Sequence, residues 1–298
     1  MKTFIAIFAS LLIAVAVTAA EKTQAPESPA AQLQKRAAAE ANLPLEKTID
    51  LDNDVNMVFV YIPAGEFEMG SPATELKRDS YEDQHHVKLT KAFYMGKFEV
   101  TQLQYRAVLG VGKMMDFAGF DFPADSVSWY QASTFLNKLS EKTDMLFRLP
   151  TEAEWEYACR AGTVTPFYTG ETINPDQANY NAAKLYGKGL KGDAKKRTTK
   201  VGSYPPNSFG LYDMPGNVWE WCSDRYSKKS YKIDSSVDPL GTGDSLSVVI
   251  RGGGWDSPPV DCRSASRDSR KSWRHLNDIG FRVVLEIDKK VKNNRDGG

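Results

Sequence analysis

Asp213 and Glu220 are the residues whose type and spacing most suggest chemistry. They are hard oxygen donors seven positions apart, and the Gly216–Val218 turn between them can aim carbonyl oxygens inward. Carboxylate and carbonyl oxygens are the ligands Ca2+ takes. On spacing alone, the simpler reading, two carboxylates capping turns, is preferred. Softer donors are scarce: Cys159, Cys222 and Cys262 are the only cysteines, and His85, His86 and His275 the only histidines. An extended chain would point His85 and His86 to opposite faces. Cys262, with Asp261 beside it, offers a thiol nucleophile only if the fold brings His275 to the sulfur.

The two carboxylates lie in Pro205–Asp224, a stretch of prolines, glycines and asparagines interleaved with Phe209, Leu211, Tyr212, Trp219 and Trp221. Turn residues alone would make an exposed loop, but that much aromatic surface must be buried. A loop through the core is expected, with its backbone polar groups needing partners there. Around it, Met57 onward (MVFVYIPAGEFEMGS) alternates and predicts a strand pair turning at Pro63–Gly65. Tyr81–His86 reads as polar loop, followed by strands through Val87, Leu89, Phe93, Tyr94 and Phe98. Thr101 with Gln104, Ser128 with Gln131 and Thr151 with Glu154 fit the capping box that opens a helix. In the second of these helices Trp129, Ala132, Phe135, Leu136 and Leu139 form one apolar stripe, which is core. Residues 162–200 are irregular, and a loop that long within a domain needs a stabiliser. Val248–Arg251 predicts a short strand and Ile279–Ile287 a closing one.

The 298 residues are 41% hydrophobic and 26% charged, an ordinary globular balance, and formal net charge is zero, so nothing favours nucleic acid or an anionic surface. Lys2, the apolar run Phe4–Val17 and Thr18-Ala19-Ala20 predict a signal peptide over residues 1–20. A periplasmic or secreted location is expected, and the membrane is touched only if the signal stays uncleaved as an anchor. Residues 21–46 read as a low-complexity linker, partly helical over Ala31–Ala41 and outside the core. The domain is placed at 47–287 and a charged tail at 288–298. An odd cysteine count leaves at least one thiol unpaired within the monomer.

Four stretches, IPAGEFEMGS, RLPTEAEWEYACRAG, GLYDMPGNVWEW and RGGGW…CRSASR…IGFRV, closely resemble the formylglycine-generating enzyme (sulfatase-modifying factor) family from about Met57 to Ile287. The resemblance implies an α+β fold: a single loop-rich domain, related to the C-type lectin fold and structured by two calcium ions. It places one site at Asn179, Tyr180, Asp193 and Lys195, which would order the 162–200 loop. The second site falls at Asp213, Gly216, Val218 and Glu220. With both sets present, calcium replaces turn-capping as the expected role of Asp213 and Glu220. The family's catalytic Cys-x4-Cys pair, which binds Cu(I), falls at Ser257 and Cys262. A hydroxyl is hard and stays protonated, so it does not replace a thiolate for Cu(I), and copper is not expected. Gly254, Asp261 and the Pro258-Pro259 pair also depart from the pattern in the same place. Where some relatives pair a cysteine with the Cys159 position this chain has Val283, so Cys159 is expected as a buried thiol.

Three functions are weighed. Formylglycine generation on sulfatases is opposed by Ser257. The family also includes ergothioneine-forming sulfoxide synthases, with a three-histidine iron site on a separate helical domain, and periplasmic pyoverdine-maturation proteins. An enzyme with such altered chemistry is the runner-up. The reading adopted is a noncatalytic binding or regulatory protein. It would hold a protein, peptide or glycan ligand at Trp255, Asp256, Asp261, Trp273 and Arg274, with Trp255 equally able to pack in the core. Arg267 and Arg282 are expected in buried ion pairs.

Overall fold

The computed structural model describes residues 27–52, 54–110, 116–227, 236–242 and 246–287. The signal-peptide stretch and the charged tail lie outside the described residues.

All three capping boxes form. Thr101, Ser128 and Thr151 each accept from the backbone N–H three residues on, and Gln104, Gln131 and Glu154 reach back to the cap N–H. They open α2 (Gln102–Leu109), α3 (Trp129–Thr143) and α4 (Glu152–Arg160). The α3 stripe is buried through Ala132, Phe135, Leu136 and Leu139, with Trp129 packed partly against the same core.

Three antiparallel-dominated sheets surround these helices. The first holds five strands, β1 (Glu46–Asp50), β2 (Asn56–Ile62), β5 (Phe93–Gly96), β11 (Val284–Glu286) and β6 (Phe147–Arg148), in that spatial order. The second runs β10 (Ile279–Gly280), β7 (Trp219–Arg225), β8 (Ser247–Arg251), β9 (Arg267–Lys271), with β10 parallel to β7. A hairpin-like pair, β3 (Gly65–Met69) and β4 (His85–Leu89), stands apart.

Four sequence expectations change. The strands on either side of Pro63–Gly65 form, but they do not pair with each other: β2 pairs with β1 and β5, and β3 with β4. His85 and His86 belong to β4 rather than to a loop. The linker is not outside the core. Pro29–Glu40 is a helix, α1, capped by Ser28. Its Gln34 amide donates to the carbonyls of Tyr61 and Phe209, and Ala38 enters the main core. Alanine-rich composition hid this, because a helix that docks through one amide and the methyls of Ala30, Ala37 and Ala38 needs no stripe of large apolar residues. Finally, Ile279–Ile287 is not one strand. Phe281–Val283 crosses between the two larger sheets, and Arg282 turns inward to donate to the Gly96 and Tyr212 carbonyls.

The main core lies between the five-stranded sheet and α2 and α3, with Phe59, Tyr105, Phe135, Trp221 and Phe281 at its centre. A second cluster sits under α4 around Trp155, Met95, Leu211 and Val249. A satellite of Phe167, Ile173, Tyr180, Tyr186 and Cys262 underlies the irregular 162–200 loop.

Buried arginines join these clusters, as expected for Arg267 and Arg282. Arg267 forms a bidentate pair with Glu152, and Arg282 with Glu220. Arg251 contacts Glu156, which also holds Arg160, while Arg263 bridges Glu75 and Glu82. Removing one partner of such a pair strands the other charge. Arg282→Met is expected to lower stability by about 3–5 kcal/mol. Arg282→Met with Glu220→Gln should recover part of the loss in urea unfolding; no recovery would show that the charge pairing is not the source.

Asp224 fixes the start of α4. One carboxylate oxygen accepts from Glu152 N at 2.7 Å and the other from Gly241 N at 2.6 Å. Burial, followed by the nearby Glu152 charge, pushes this carboxyl from 3.8 up to about 7. Between those values the folded chain holds a proton that the unfolded chain has released, so stability falls as pH rises through 7. The drop in unfolding free energy from pH 5 to pH 8 should shrink in Asp224→Asn, and an identical drop in that variant would rule Asp224 out as its source.

Candidate functional site

The Pro215-Gly216-Asn217 turn is the junction of the site. Asp213, Gly216 and Asn217 all adopt positive φ, at 54°, 86° and 61°. A Cβ on Gly216 would lie 2.3 Å from the Asn179 carbonyl oxygen, so the position admits only glycine. Gly216 N donates to Gly252 O, Asn217 N to Asn179 O and Trp255 N to Asn217 O. The turn thereby joins the 179 loop to the Gly252–Gly254 turn. The Asn217 side chain extends the junction: its oxygen accepts from Asn179 Nδ2 and Thr199 N, and its Nδ2 donates to Glu99.

Asp213 and Glu220 are both buried, and Glu99 is buried with them. Burial raises the Glu99 carboxyl well above its usual range, and Asp213 and Glu220 add to this while Arg282 opposes it. Burial likewise pushes Asp213 up to about 6. Glu220 is already heavily bonded: Arg282 holds both its oxygens and Trp155 Nε1 donates to one of them at 2.8 Å. Few of its lone pairs remain for a metal. A cation at this set would therefore rest on Asp213 and the carbonyls of Gly216 and Val218.

The first family site fits a cation better. Asn179 Oδ1 is buried without a hydrogen-bond partner, and so is Thr198 Oγ1, in the loop that Asn179 Nδ2 holds through Arg197 O. Buried acceptors in native proteins are almost always satisfied, so two orphans in neighbouring loops call for a partner from outside the chain. Tyr180 is buried, while the side chains of Asp193 and Lys195 are exposed. Among the described residues, no group of three or more His, Cys, Asp or Glu could hold a metal ion. A cation here would depend on amide and carbonyl oxygens.

At the former copper position Ser257 is buried, and its Oγ accepts from Gly254 N at 3.0 Å. Cys262 ends a 3-10 turn, Pro259–Cys262, with its sulfur packed against the Gly253 backbone, where an added Cβ would come within 2.6 Å. Burial, then Asp261 and Asp256, push its thiol well above the usual range. A hydroxyl and a protonated buried thiol do not form a thiolate pair, so these residues do not fit Cu(I). The same burial opposes Cys262 as a nucleophile. His275 is exposed, and no hydrogen bond joins it to Cys262 among the described residues. Cys159 is a buried free thiol, 3.6 Å from Ser264 Oγ.

The candidate ligand-binding residues divide. Trp255 is half-buried: its indole donates to Asn277 O and meets Phe117 edge-on at 5.5 Å. Asp256 is exposed, and Asp261, five residues on, is half-buried. Burial and Asp268 push Asp261 to about 6, and burial and Asp256 do the same to Asp278. These four carboxylates and Arg270 make an acidic rim around the Gly252–Gly254 turn. Trp273 and Arg274 are exposed just past β9.

Residues 51–287 match the model of the Sulfatase-modifying factor enzyme 1-like domain. The chain belongs to this family. It is 35% identical over 173 residues to the formylglycine-generating enzyme of Streptomyces coelicolor, covering 56% of this chain and 53% of that enzyme. It is 30% identical over 255 residues to the chaperone protein LppX of Paenibacillus barcinonensis, covering 71% and 86%. Among solved structures, PvdO from Pseudomonas aeruginosa superposes with a TM-score of 0.69 at 31% identity, covering 81% of this chain and 98% of that one. The chain spans 24% of the length of a Chlamydia pneumoniae serine/threonine-protein kinase it also matches, and about half that of the Streptomyces enzyme. The family's mixed, loop-rich α+β fold is the one seen here.

Sequence reasoning passed over Glu99, Asn217 and Thr198. Glu99 carried a signal, since it interrupts the apolar run Phe98–Val100. Asn217 carried a weaker one, its place after Pro-Gly. Thr198, among lysines and threonines, carried none.

Proposed function

We propose that this protein is an exported, noncatalytic, calcium-structured member of the family, and that it binds a peptide or glycan on the face around Gly252–Gly254. The observation that carries this reading is Ser257: the position that should supply a thiolate holds a buried hydroxyl bonded to Gly254 N. The scaffold beneath it, from the Asn217 junction to the Arg282–Glu220 pair, is complete. Trp255, Asp256 and Asp261 offer an aromatic edge and carboxylates to a ligand, groups that recur at binding surfaces. The name of the LppX relative, a chaperone, also favours binding over oxidation.

The test uses oxygen, Cu(I) and a sulfatase-type Cys-x-Pro-x-Arg peptide, with the unmodified chain and Ser257→Cys compared by mass spectrometry. No turnover by the unmodified chain is the expected result. Turnover by it would make the protein a formylglycine-generating enzyme and end the noncatalytic reading. Turnover gained only in Ser257→Cys would show that the peptide groove survives without its metal.

Calcium belongs to the same proposal. Asn179 Oδ1, the Tyr180 carbonyl, Asp193 and the Lys195 carbonyl would hold one ion, with Asp213, Gly216 and Val218 beside Glu220 as a second set. The metal would supply positive charge to buried oxygens that lack it. A ligand present at a hundredfold its dissociation constant stabilises by about 2.7 kcal/mol, so EDTA should lower the melting temperature by about 5–10 °C. Asn179→Leu should abolish the response at the first set. A melt indifferent to EDTA and calcium would remove the calcium proposal.

A further inference from the structure

Residues 184–200 concentrate charge in a chain that is neutral overall: six lysines and one arginine stand against a single acid, Asp193. Lys184, Lys188, Lys191, Lys195 and Lys196 are exposed and form no salt bridge among the described residues. Lys200 reaches only the exposed Asp121, at 3.3 Å, and Arg197 lies over the rings of Phe117 and Phe122. Between the lysines, Leu185 and Leu190 are 43% and 65% exposed.

This is not a loose basic tail. Tyr186 is buried and its hydroxyl donates to Leu76 O at 2.8 Å. Leu190 N donates to Asn174 Oδ1, Gly189 N to Tyr186 O and Gly192 N to Ala182 O. The satellite core of Phe167, Ile173 and Tyr180 lies below. The fold thus holds two leucine side chains out in water amid uncompensated ammonium groups. What sets these two apart from the other exposed apolar side chains is the run of lysines on either side of them.

We infer that this loop is a docking surface for an anionic phospholipid bilayer. Ammonium groups meet lipid phosphates, and aliphatic tips enter the boundary between headgroups and acyl chains; both are needed for a protein that lies on a membrane. A soluble polyanion or nucleic acid would use the lysines but not Leu185 and Leu190, and no exposed aromatic ring lies between the lysines to stack on bases. The inference is independent of the ligand face around Gly252–Gly254.

The decisive experiment places an environment-sensitive fluorophore on Leu190→Cys of the full chain. Cys159, Cys222 and Cys262 are buried, so labelling is selective. With vesicles of phosphatidylcholine containing phosphatidylglycerol, emission at position 190 should shift to the blue. It should not shift with phosphatidylcholine alone, nor when the label is on Thr134→Cys on the exposed side of α3. Because the readout is local, insertion of the apolar N-terminal stretch cannot produce it. Each lysine near the surface is worth about fivefold in partitioning, so Lys188→Glu with Lys191→Glu and Lys196→Glu should weaken binding at least a hundredfold. The inference is overturned by no shift at 190, by an equal shift on neutral vesicles, by indifference to the three charge reversals, or by the same shift with soluble polyphosphate.

Discussion

One guanidinium holds the centre of this protein together. Arg282 is fully buried and is the counter-charge to Glu220, with Glu99 and Asp213 close enough to feel it. Three buried carboxylates around one cation is an arrangement that protons or metal ions must complete, and burial, with the neighbouring carboxylates, drives Glu99 and Asp213 toward the protonated form. Arg282 also donates to carbonyls of the β5 end and of the Tyr212 loop. The loop through the core, the crossover between sheets and the strand bearing Trp219 and Trp221 therefore share one electrostatic support. The prolines, glycines and aromatics of Pro205–Asp224 can coexist in the interior because their polar groups also find partners in neighbouring segments: Tyr212 N donates to Lys97 O, Gly216 N to Gly252 O, Trp219 N to Asp278 O and Trp221 Nε1 to Val127 O.

The scaffold and the reactive face obey different constraints. Gly216 cannot change without a collision, and Asn217 carries bonds from three loops. The Ser257 hydroxyl meets only the Gly254 N–H, although Ser257 O accepts from Asn181 N and Cys262 packs in the satellite core with Phe167 and Tyr180. A sulfur-to-oxygen exchange at Ser257 keeps a side chain of similar size and lets its oxygen accept from Gly254 N.

Helix starts were legible in the sequence because a capping box is a local contract between two side chains and two backbone donors. The buried ion pairs of Arg267 and Arg282 were also legible, since a guanidinium taken out of water needs a carboxylate. The partners of strands were not. The run through Pro63–Gly65 marks two strands correctly, yet nothing local says that β2 turns to β5 while β3 turns to β4. The helix of Pro29–Glu40 was missed as part of the core because Gln34 docks it through backbone carbonyls, which leave no trace in composition. At the site, oxygen donors were legible as types. That Glu220 is occupied by Arg282 and Trp155, and that Glu99 shares its surroundings, depends on contacts between residues distant in the chain.

The crossover at Phe281–Val283 has a bearing on how the molecule is made. β11 lies inside the five-stranded sheet between β5 and β6, and β10 closes an edge of the four-stranded sheet. Both come from the last strands of the chain. As the ribosome delivers the polypeptide from its N-terminus, neither sheet can be completed until residues 279–286 emerge. Arg282, which neutralises Glu220, arrives in the same few residues. Partial products lack an interior strand of one sheet and the Arg282 cation of the core, the kind of incomplete state that proteases and chaperones engage. A fold so dominated by contacts between distant parts of the chain is expected to assemble late and slowly.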